Sequence, residues 1–392
     1  MKNPINPLAA RLGHYVETIA GGETVRAFVP PPLPPEPALE VTPLYGALDR
    51  ANQALGRLDG MAALLPDTSL FLYFYVRKEA LLSSQIEGTQ SSFADLLLHE
   101  SQNATSVGID DVEEVSNYVA AINHGLERVQ GGFPVSLRLM CEMHAILLRG
   151  GRGATKQPGA FRNSQNWIGG TRPGNALFVP PPPHMMMDLL GQMEIWLHGK
   201  GQDLPLLIRA ALLHVQFETI HPFLDGNGRL GRLLVTLILC ADNALSQPVL
   251  YVSLYLKTHR DRYYDLLNKV RTHGAWEEWL AFFLEGVAEV ATGSTEAAGR
   301  ILGLFAQHRT LIEAIGRGAS TVMRVHSALQ ARPISSIASL CDATGLTIPP
   351  VARAIATLET LGIVREITGK QRDRLFQYDA YLAILSEGAE PI

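Results

Sequence analysis

The sequence predicts a mainly α-helical protein with one small β-hairpin and a C-terminal winged helix-turn-helix domain. Apolar residues recur at helical spacing through most of the 392 residues, and a single turn-rich stretch interrupts that pattern. Near the C-terminus, two short helical segments precede two strand-like segments. A chain of this length exceeds one average domain, so two or three units are expected.

Composition and charge narrow the range of functions. The net charge of −5 argues against a protein that mainly coats nucleic acid or an anionic membrane. The three cysteines, Cys141, Cys240 and Cys341, form no CxxC pair, so a reducing cytoplasm is the expected location. "MKNPINPLAARLGHY" lacks the apolar core of a signal peptide, and the longest apolar run, "LLVTLILCA", is too short to span a membrane. Function should therefore reside in a local site, without a membrane partner.

Residues 1–110 are expected to form an N-terminal segment that packs on a helical core. "VPPPLPPEP" from Val29 to Pro37 is incompatible with a helix or a central strand, and should lie extended on the surface. A partner-binding PxxP motif is the alternative for this stretch. A helix from about Phe71 is expected to end at Gly88, a residue suited to stop a helix, which leaves Glu87 in its last turn.

Residues 111–290 carry the pattern of a helical bundle. Ser136 is a candidate N-cap for the segment that follows it, and "LPLLIRAALLHVQFETI" and "GRLLVTLILCADNAL" are apolar nearly all round, as central helices are. Residues 161–183 break the pattern, because apolar residues flank a "GGTRPGN" centre. That arrangement predicts a hairpin whose exposed edge can pair with another strand.

The C-terminal third changes in composition. A linker helix is expected over residues 291–318, followed by the winged helix domain over 319–392. Within that domain we expect a helix from about Ser335 to Ala343, a turn at Gly345 and a helix from about Pro349 to Leu361. Strands "IVREI" and "LFQY" then flank the polar tip "TGKQRDR".

The loop "HPFLDGNGRLGR", His221 to Arg232, concentrates the chemistry. Pro222 should end the preceding helix near Ile220 or His221, and the next helix should start near Arg229. Gly226 and Gly228 permit backbone angles that other residues resist. Backbone N–H groups in such a turn, joined to a helix N-terminus, form an anion site. The loop is therefore predicted to hold phosphates.

The side chains of this loop include groups that could carry out a reaction on a bound phosphate. Arg229 and Arg232 supply fixed positive charge, and Asp225 is a natural partner for Mg²⁺ bound to phosphate oxygens. His221 is able to accept a proton from a hydroxyl at neutral pH. Together these groups indicate transfer of a phosphorus group to a hydroxyl.

Simpler explanations of the loop remain as alternatives. The glycines could serve a tight turn and the arginines could be surface charge. His214 and His221 could flank a zinc ion with Asp225, although Pro222 spoils a shared helical face; a hydrogen-bonded core position is the preferred interpretation of His214. No Lys-Ser/Thr pair follows the glycines, so this is not a Walker A loop.

"HPFLDGNGRLGR" resembles the signature of the Fic family, His-x-Phe-x-Asp/Glu-Gly-Asn-Gly-Arg-x-x-Arg, at every specified position. "GAFRNSQNWIGG" and "ALFVPPPP" are similar to Fic proteins with an extra N-terminal segment, a group in which a terminal winged helix is common. The resemblance covers most of the chain. It implies a Fic-type helical bundle with a flap, and transfer of AMP from ATP to a Ser, Thr or Tyr hydroxyl of a target protein.

The resemblance also implies roles for individual residues. His221 would be the general base, Asp225 the Mg²⁺ ligand and Phe223 the loop's buried anchor, and residues 161–183 would be the flap that docks the target by strand addition. The implied nucleotide-binding residues are Gly226, Asn227, Gly228, Arg229, Leu230, Gly231 and Arg232, with Tyr263 or Tyr264 bordering the adenine. Arg229 and Arg232 would neutralise the β- and γ-phosphates.

"SSQIEGTQ" from Ser83 to Gln90 fits the family's inhibitory pattern, Ser/Thr-x-x-x-Glu-Gly/Asn. The resemblance implies that Ser83 and Glu87 act as a brake, with Glu87 paired to Arg232 in place of the γ-phosphate. A surface glutamate at a helix end is the alternative.

Other functions stay open at this point. The same site could remove AMP from a modified protein, or move phosphate, phosphocholine or another nucleotide. The winged helix could instead make the chain a DNA-binding regulator through Arg353 and a wing that carries Lys370, Arg372 and Arg374, although nearby acidic residues offset much of that charge. Self-modification and a homodimer are also open.

Overall fold

The computed structural model describes residues 11–64, 68–88, 92–93, 96–97, 109–150 and 153–390. The strands are β1 (His14–Ala20), β2 (Glu23–Val29), β3 (Ile334–Ser336), β4 (Arg365–Glu366) and β5 (Leu375–Gln377). The helices are α1 (Tyr45–Leu64), α2 (Thr68–Ile86), α3 (Ile109–Gln130), α4 (Leu137–Leu147), α5 (Pro183–His198), α6 (Leu206–Ile220), α7 (Asn227–Ala241), α8 (Ser253–Thr258), α9 (Arg260–His273), α10 (Trp276–Glu313), α11 (Ala319–Ala331), α12 (Ile337–Thr344), α13 (Ile348–Thr360) and α14 (Asp379–Ser386).

Helices α6 and α7, which the 221–226 loop connects, form the centre of the bundle. Residues 207–220 of α6 are all buried, as their nearly continuous apolar sequence predicts. The indole N–H of Trp279 in α10 donates to the backbone carbonyl of Ala211 at 2.9 Å, which ties α10 to α6. Helices α2, α3 and α4 pack on the other side of this pair. The loop from His221 to Gly226 joins two buried helices and is therefore rigidly supported.

An antiparallel hairpin of β1 and β2 precedes the helices, with His14 opposite Val29 and Ala20 opposite Glu23. Sequence analysis missed it, although both strands contain three β-branched residues. The N–H of Phe28 donates to the carbonyl of Val179 at 2.9 Å, so β2 lies against the 161–183 segment. Residues 30–41 then continue without helix or strand, as the prolines predict.

Residues 161–183, the flap, turn back on themselves but pair through a single bridge, Ile168 with Phe178. A short 3₁₀ helix, Pro173–Asn175, forms the tip. The pairing is shorter than a regular hairpin because the prolines at 180–183 have no N–H to donate. The flap therefore depends on the bundle and on β2 for its position.

Helix α10 spans 38 residues and runs without a break across residue 291, where sequence analysis places the start of a separate linker helix. The small polar stretch there contains no proline. The hydroxyls of Thr292, Ser294 and Thr295 donate to carbonyls four residues earlier, so these side chains are satisfied within the helix. One continuous helix thus joins the bundle to the C-terminal unit.

The winged helix-turn-helix prediction is confirmed. Helices α12 and α13 are joined through Gly345, which has a left-handed φ of 65°. Ser336 caps α12 by accepting from the N–H of Ser339. The sheet has the order β3-β5-β4, and β4 and β5 form the wing. Within the described residues, no helix is long and apolar enough to cross a membrane.

Candidate active site

The 221–232 loop is shaped by two residues with left-handed backbone angles. His221 ends α6 with φ 50°, and Gly226 precedes α7 with φ 75°. Helix α7 begins at Asn227, two residues before the predicted start near Arg229, because Gly226 supplies the turn itself. The N–H groups of the first turn of a helix have no partner in their own helix, so Asn227 and Gly228 present donors at this point.

The Asn227 side chain fastens the loop from inside. Its Oδ1 accepts from the N–H of Phe223 at 2.9 Å, and its Nδ2 donates to the carbonyl of Phe223 at 2.8 Å. Because the amide is buried and used in this way, Asn227 has its backbone N–H rather than its side chain to offer a ligand. Phe223 is fully buried, in the anchoring position that sequence analysis expects.

Two buried residues that sequence analysis missed support the loop from outside. His144 stacks on Phe223 with a centroid distance of 3.7 Å, accepts from the N–H of Gly159 through Nδ1, and contacts the carbonyl of Asp225 through Nε2 at 3.0 Å. Burial lowers the pKa of His144 to about 4, which keeps the ring neutral. Arg162 donates to four backbone carbonyls, those of His221, Ser164, Pro181 and Ile220.

His221 is half-buried and lines the main cavity. Burial, together with the charge of Arg162, lowers the pKa of His221 to about 4. The imidazole is therefore neutral at neutral pH and able to accept a proton. The strained backbone angle and the Arg162 bond to the His221 carbonyl fix its position.

Asp225 lies at the edge of the loop with its side chain 35% exposed. Its Oδ1 accepts from the N–H of Gly226 at 2.6 Å and lies 3.5 Å from Nη2 of Arg229. Within the described residues, no group of three or more His, Cys, Asp or Glu side chains could hold a metal ion. A lone accessible carboxylate fits a cation such as Mg²⁺ when phosphate oxygens and water supply the other ligands.

Arg232 and Glu87 meet across the site. Nη2 of Arg232 lies 2.7 Å from Oε1 of Glu87, while its Nε and Nη2 donate to the hydroxyl and the carbonyl of Ser83, both at 2.9 Å. Arg232 is buried, whereas the Glu87 side chain is 32% exposed. Burial raises the pKa of Glu87, but the charge and hydrogen bond of Arg232 outweigh it and hold that pKa below its usual value.

The Glu87 carboxylate also covers the start of α7. A Cβ built on Gly228 would overlap Oε1 of Glu87, so the carboxylate lies directly against this turn. Helix α2 ends at Ile86, one residue before Glu87, and Gly88 follows with a left-handed φ of 103°. The anion site predicted from the sequence is thus occupied by a side chain of the protein itself.

Arg229 and Leu230 are not brought to the cavity. Arg229 is buried, with Nη1 3.3 Å from Oε2 of Glu114, and Leu230 is part of the hydrophobic core. Gly231 permits close packing of α7 on α6, since a Cβ there would lie 2.6 Å from Oε1 of Glu218. Their assignment as nucleotide-binding residues stays a prediction.

The two tyrosines predicted to border the adenine have different surroundings. Tyr263 is buried, and its hydroxyl lies 2.9 Å from Nε2 of His214, which places His214 in the core. Tyr264 is 40% exposed, with Arg260 over its ring at 5.4 Å. Both tyrosines line the main cavity. Because Tyr263 is buried and Tyr264 is not, Tyr264 has the more accessible face.

The cavity itself measures about 590 Å³ and brings Glu87, His221, Gly228 and Arg232 together with the flap. Sequence analysis missed four charged residues in its wall, Glu218, Arg260, Asp265 and Arg271. Arg271 packs over the ring of Phe178 at 3.9 Å, and burial raises the pKa of Glu218 to about 7. Helical spacing could have identified Glu218, which lies three residues before His221, and Arg271, which lies seven residues after Tyr264.

Comparison with protein families gives three matches. The model described as "Fic/DOC family N-terminal" matches residues 45–127, and the model "Fic/DOC family" matches residues 134–239. Residues 320–365 match "Winged helix-turn-helix DNA-binding". The second match contains the whole 221–232 loop.

Curated relatives carry the name protein adenylyltransferase. One from Culex quinquefasciatus is 30% identical over 228 residues, which are 57% of this chain and 42% of the relative. A probable protein adenylyltransferase from Aquifex aeolicus is 28% identical over 191 residues, 48% of this chain and 54% of the relative. The chain thus spans about half the length of these relatives.

Solved structures share the fold at low identity. A Fic family protein from Desulfovibrio desulfuricans G20 aligns with a TM-score of 0.57 and 18% identity, over 87% of this chain and 97% of that one. A Fic domain containing signaling protein from Bacteroides thetaiotaomicron aligns with a TM-score of 0.51 and 19% identity, over 64% and 95% of the two chains. The first alignment extends well beyond the bundle.

Replacing Arg162 by alanine should destabilise the protein. Four carbonyls would lose a buried donor, so we expect the free energy of unfolding to fall by about 3 kcal/mol. Arg172→Ala, on the same flap but 62% exposed, is the matched control and should change it by no more than about 0.5 kcal/mol. Denaturant titration measures both, and equal effects of the two changes would contradict the supporting role of Arg162.

Proposed function

Since the chain belongs to the Fic/DOC family, with the family's N-terminal region before its Fic domain, we propose that it transfers AMP from ATP to a Ser, Thr or Tyr hydroxyl of a target protein. The observation that carries the proposal is one cavity in which a neutral imidazole, a helix N-terminus and a buried guanidinium face the same space. Relatives named protein adenylyltransferase support it.

The triphosphate would lie along the start of α7. The N–H groups of Asn227 and Gly228 would donate to phosphate oxygens, and Arg232 would pair with the terminal phosphate. Asp225 would hold Mg²⁺ at the edge of the loop, and this ion, when bound, neutralises charge on the phosphates. The accessible face of Tyr264 and the side chain of Leu267 offer an apolar surface to the adenine.

His221 would act as the base. The target hydroxyl oxygen forms a bond to the α-phosphorus while the bond from that phosphorus to the bridging oxygen breaks, and pyrophosphate leaves. The hydroxyl proton passes to the imidazole, which is neutral because its pKa is lowered. Backbone donors at the start of α7 stabilise the charge that develops on the phosphates.

The flap would position the target. Ile168, Leu177 and Phe178 line the cavity beside His221, and Leu177 is 85% exposed. The other side of the flap meets β2 through Val179, so a target strand would approach from the Ile168 side. An extended segment bound there would bring its hydroxyl towards His221.

Glu87 would inhibit the transfer. Its carboxylate takes the hydrogen-bonding capacity of Arg232 that a γ-phosphate needs, and its negative charge repels the incoming anion. Nucleotide bound in this state would be held away from the productive pose. Removal of AMP from a modified target stays the alternative at this site, with Glu87 positioning a water molecule.

Changing His221 to alanine should abolish transfer without abolishing ATP binding. The comparison is made in the Glu87→Gly background, where Arg232 is free to bind phosphate. Labelled AMP should no longer appear on proteins of a cell lysate supplied with α-labelled ATP, while calorimetry still detects magnesium-dependent ATP binding. His184→Ala, an exposed histidine outside the cavity, is the control. Transfer at an undiminished rate in His221→Ala would exclude His221 as the base.

Changing Glu87 to glycine should raise transfer at least tenfold, the equivalent of about 1.4 kcal/mol of lost inhibition. Glu87→Gln, which keeps the shape but loses the charge, should give an intermediate rate. Glu127→Gly, in the last turn of α3 and exposed, is the matched control. An unchanged rate in Glu87→Gly would remove the inhibitory role, and loss of AMP from a pre-labelled target only when Glu87 is present would favour the reverse reaction.

DNA binding by the winged helix unit is the second candidate function. The match to a DNA-binding family model favours it, and so does the exposure of Lys370, Arg372 and Arg374 on the wing and of Arg353 on α13. Wing and recognition helix are the elements that contact DNA in this motif. The negative net charge limits such binding to this local patch.

Changing Lys370, Arg372 and Arg374 together to alanine should weaken duplex binding by the full chain in a mobility shift assay. The slope of log affinity against log salt should fall by about three, because three phosphate contacts are lost. Arg309→Ala, an exposed arginine on α10, is the control. Absence of any shift at low salt with the unmodified chain would exclude this second function.

A further inference from the structure

The described residues that follow α14 return to α2, the helix that ends directly before Glu87. After α14, residues 387–390 lie against the end of α2 and against α8. The amide of Gln85 donates to the carbonyl of Ala389 at 3.0 Å in a buried hydrogen bond between residues 304 positions apart. Gln85 precedes Glu87 by two residues, so this bond fixes the turn that presents the carboxylate to Arg232.

The middle of α2 is held separately by the bundle. The buried carboxylate of Glu79 accepts from the N–H and hydroxyl of Ser253 and from the hydroxyl of Tyr118. This network fixes α2 near its centre independently of residues 387–390. Residues 80–88 follow this fixed point, lead to the Glu87 carboxylate and are held by other contacts.

Those residues are held by α7, by α9 and by the C-terminal unit, and Arg232 of α7 donates to the hydroxyl and the carbonyl of Ser83. Nε of Arg260 donates to the carbonyl of Ile86 at 3.1 Å. The chain after α14 contributes the bond from Gln85 to Ala389, and Ala389 is 2% exposed. Lys257 of α8 donates to the carbonyls of Gly388 and Glu390, and these bonds hold residues 387–390 against α8.

The C-terminal unit also shares a hydrophobic core with α2. Tyr381 of α14 meets Phe74 of α2 edge-on at 5.5 Å and Phe305 of α10 at 4.9 Å. Arg300 and Glu387 form an ion pair at the rim, but both are about half exposed, so it contributes little. The C-terminal unit is therefore joined to α2 mainly through buried contacts.

We propose that residues 387–390 are a latch, which holds the end of α2 so that Glu87 stays on Arg232. Displacing the latch would free the last turns of α2 and release the inhibition. This rests on the proposed function in so far as the released state is read out as AMP transfer. A signal received by the winged helix unit would thereby reach the active site through Ala389 and Gln85.

The latch is tested by Ala389→Arg, since a large charged side chain cannot occupy that buried position. Loss of one buried hydrogen bond and its packing should raise AMP transfer roughly three- to tenfold over the unmodified chain. Ala380→Arg is the matched control, because it makes the same change at an exposed position of α14. A chain that ends at Ser386 should behave like Ala389→Arg.

Glu87→Gly sets the upper limit of the response. Adding Ala389→Arg to Glu87→Gly should give no further increase, because both changes remove the same inhibition. If Glu87→Gly activates while Ala389→Arg and the shortened chain do not, the latch is excluded and the proposed function stands. If Ala389→Arg and Ala380→Arg activate equally, the effect is not specific to the buried position and the latch is equally excluded.

Amide hydrogen exchange supplies a readout that does not depend on transfer. Ala389→Arg should increase exchange in residues 80–88 and leave residues 74–79 protected, whereas Ala380→Arg should change neither. This result would support the latch even if Glu87→Gly showed no transfer and the proposed function failed. Unchanged exchange in residues 80–88 would overturn the latch whatever the activity, and a thermal melt confirms that each variant is folded.

Discussion

A buried arginine next to a helix N-terminus sets the main constraint on this protein. Arg232 is almost completely inaccessible to water, and the start of α7 adds further unpaired donors beside it. An uncompensated charge in such a position is strongly destabilising, so some anion has to lie against it. In the structure that anion is Glu87, which directly follows a helix far away in the chain. Burial of the guanidinium therefore requires an anionic partner, which Glu87 supplies in this structure.

The rest of the site follows from keeping the loop between α6 and α7 rigid. The Asn227 side chain closes it from within, and Arg162 and His144 hold its backbone from outside. All three side chains are used for loop shape, which leaves backbone N–H groups and the His221 ring directed at the cavity. Rigid presentation of donors is what lets a site stabilise developing charge without reorganising.

Much of this was predictable from sequence, and the exceptions have physical reasons. Pro222, Gly226 and the apolar runs on either side fix the loop and its two helices locally, so those predictions were accurate to about two residues. The winged helix followed from Gly345 and the order of its elements. By contrast, Arg162 and His144 act through contacts with residues distant in the chain, and no local pattern marks such partners.

Helix α10 has a consequence for how the chain tolerates changes in length. Each residue of an α-helix turns its far end by about 100° and advances it by about 1.5 Å. Because α10 is continuous from the bundle to the C-terminal unit, a single inserted residue near its middle would swing that unit to another face of the molecule. Ala389 would then no longer reach Gln85. The number of residues in this helix therefore determines the orientation of the C-terminal unit relative to the bundle.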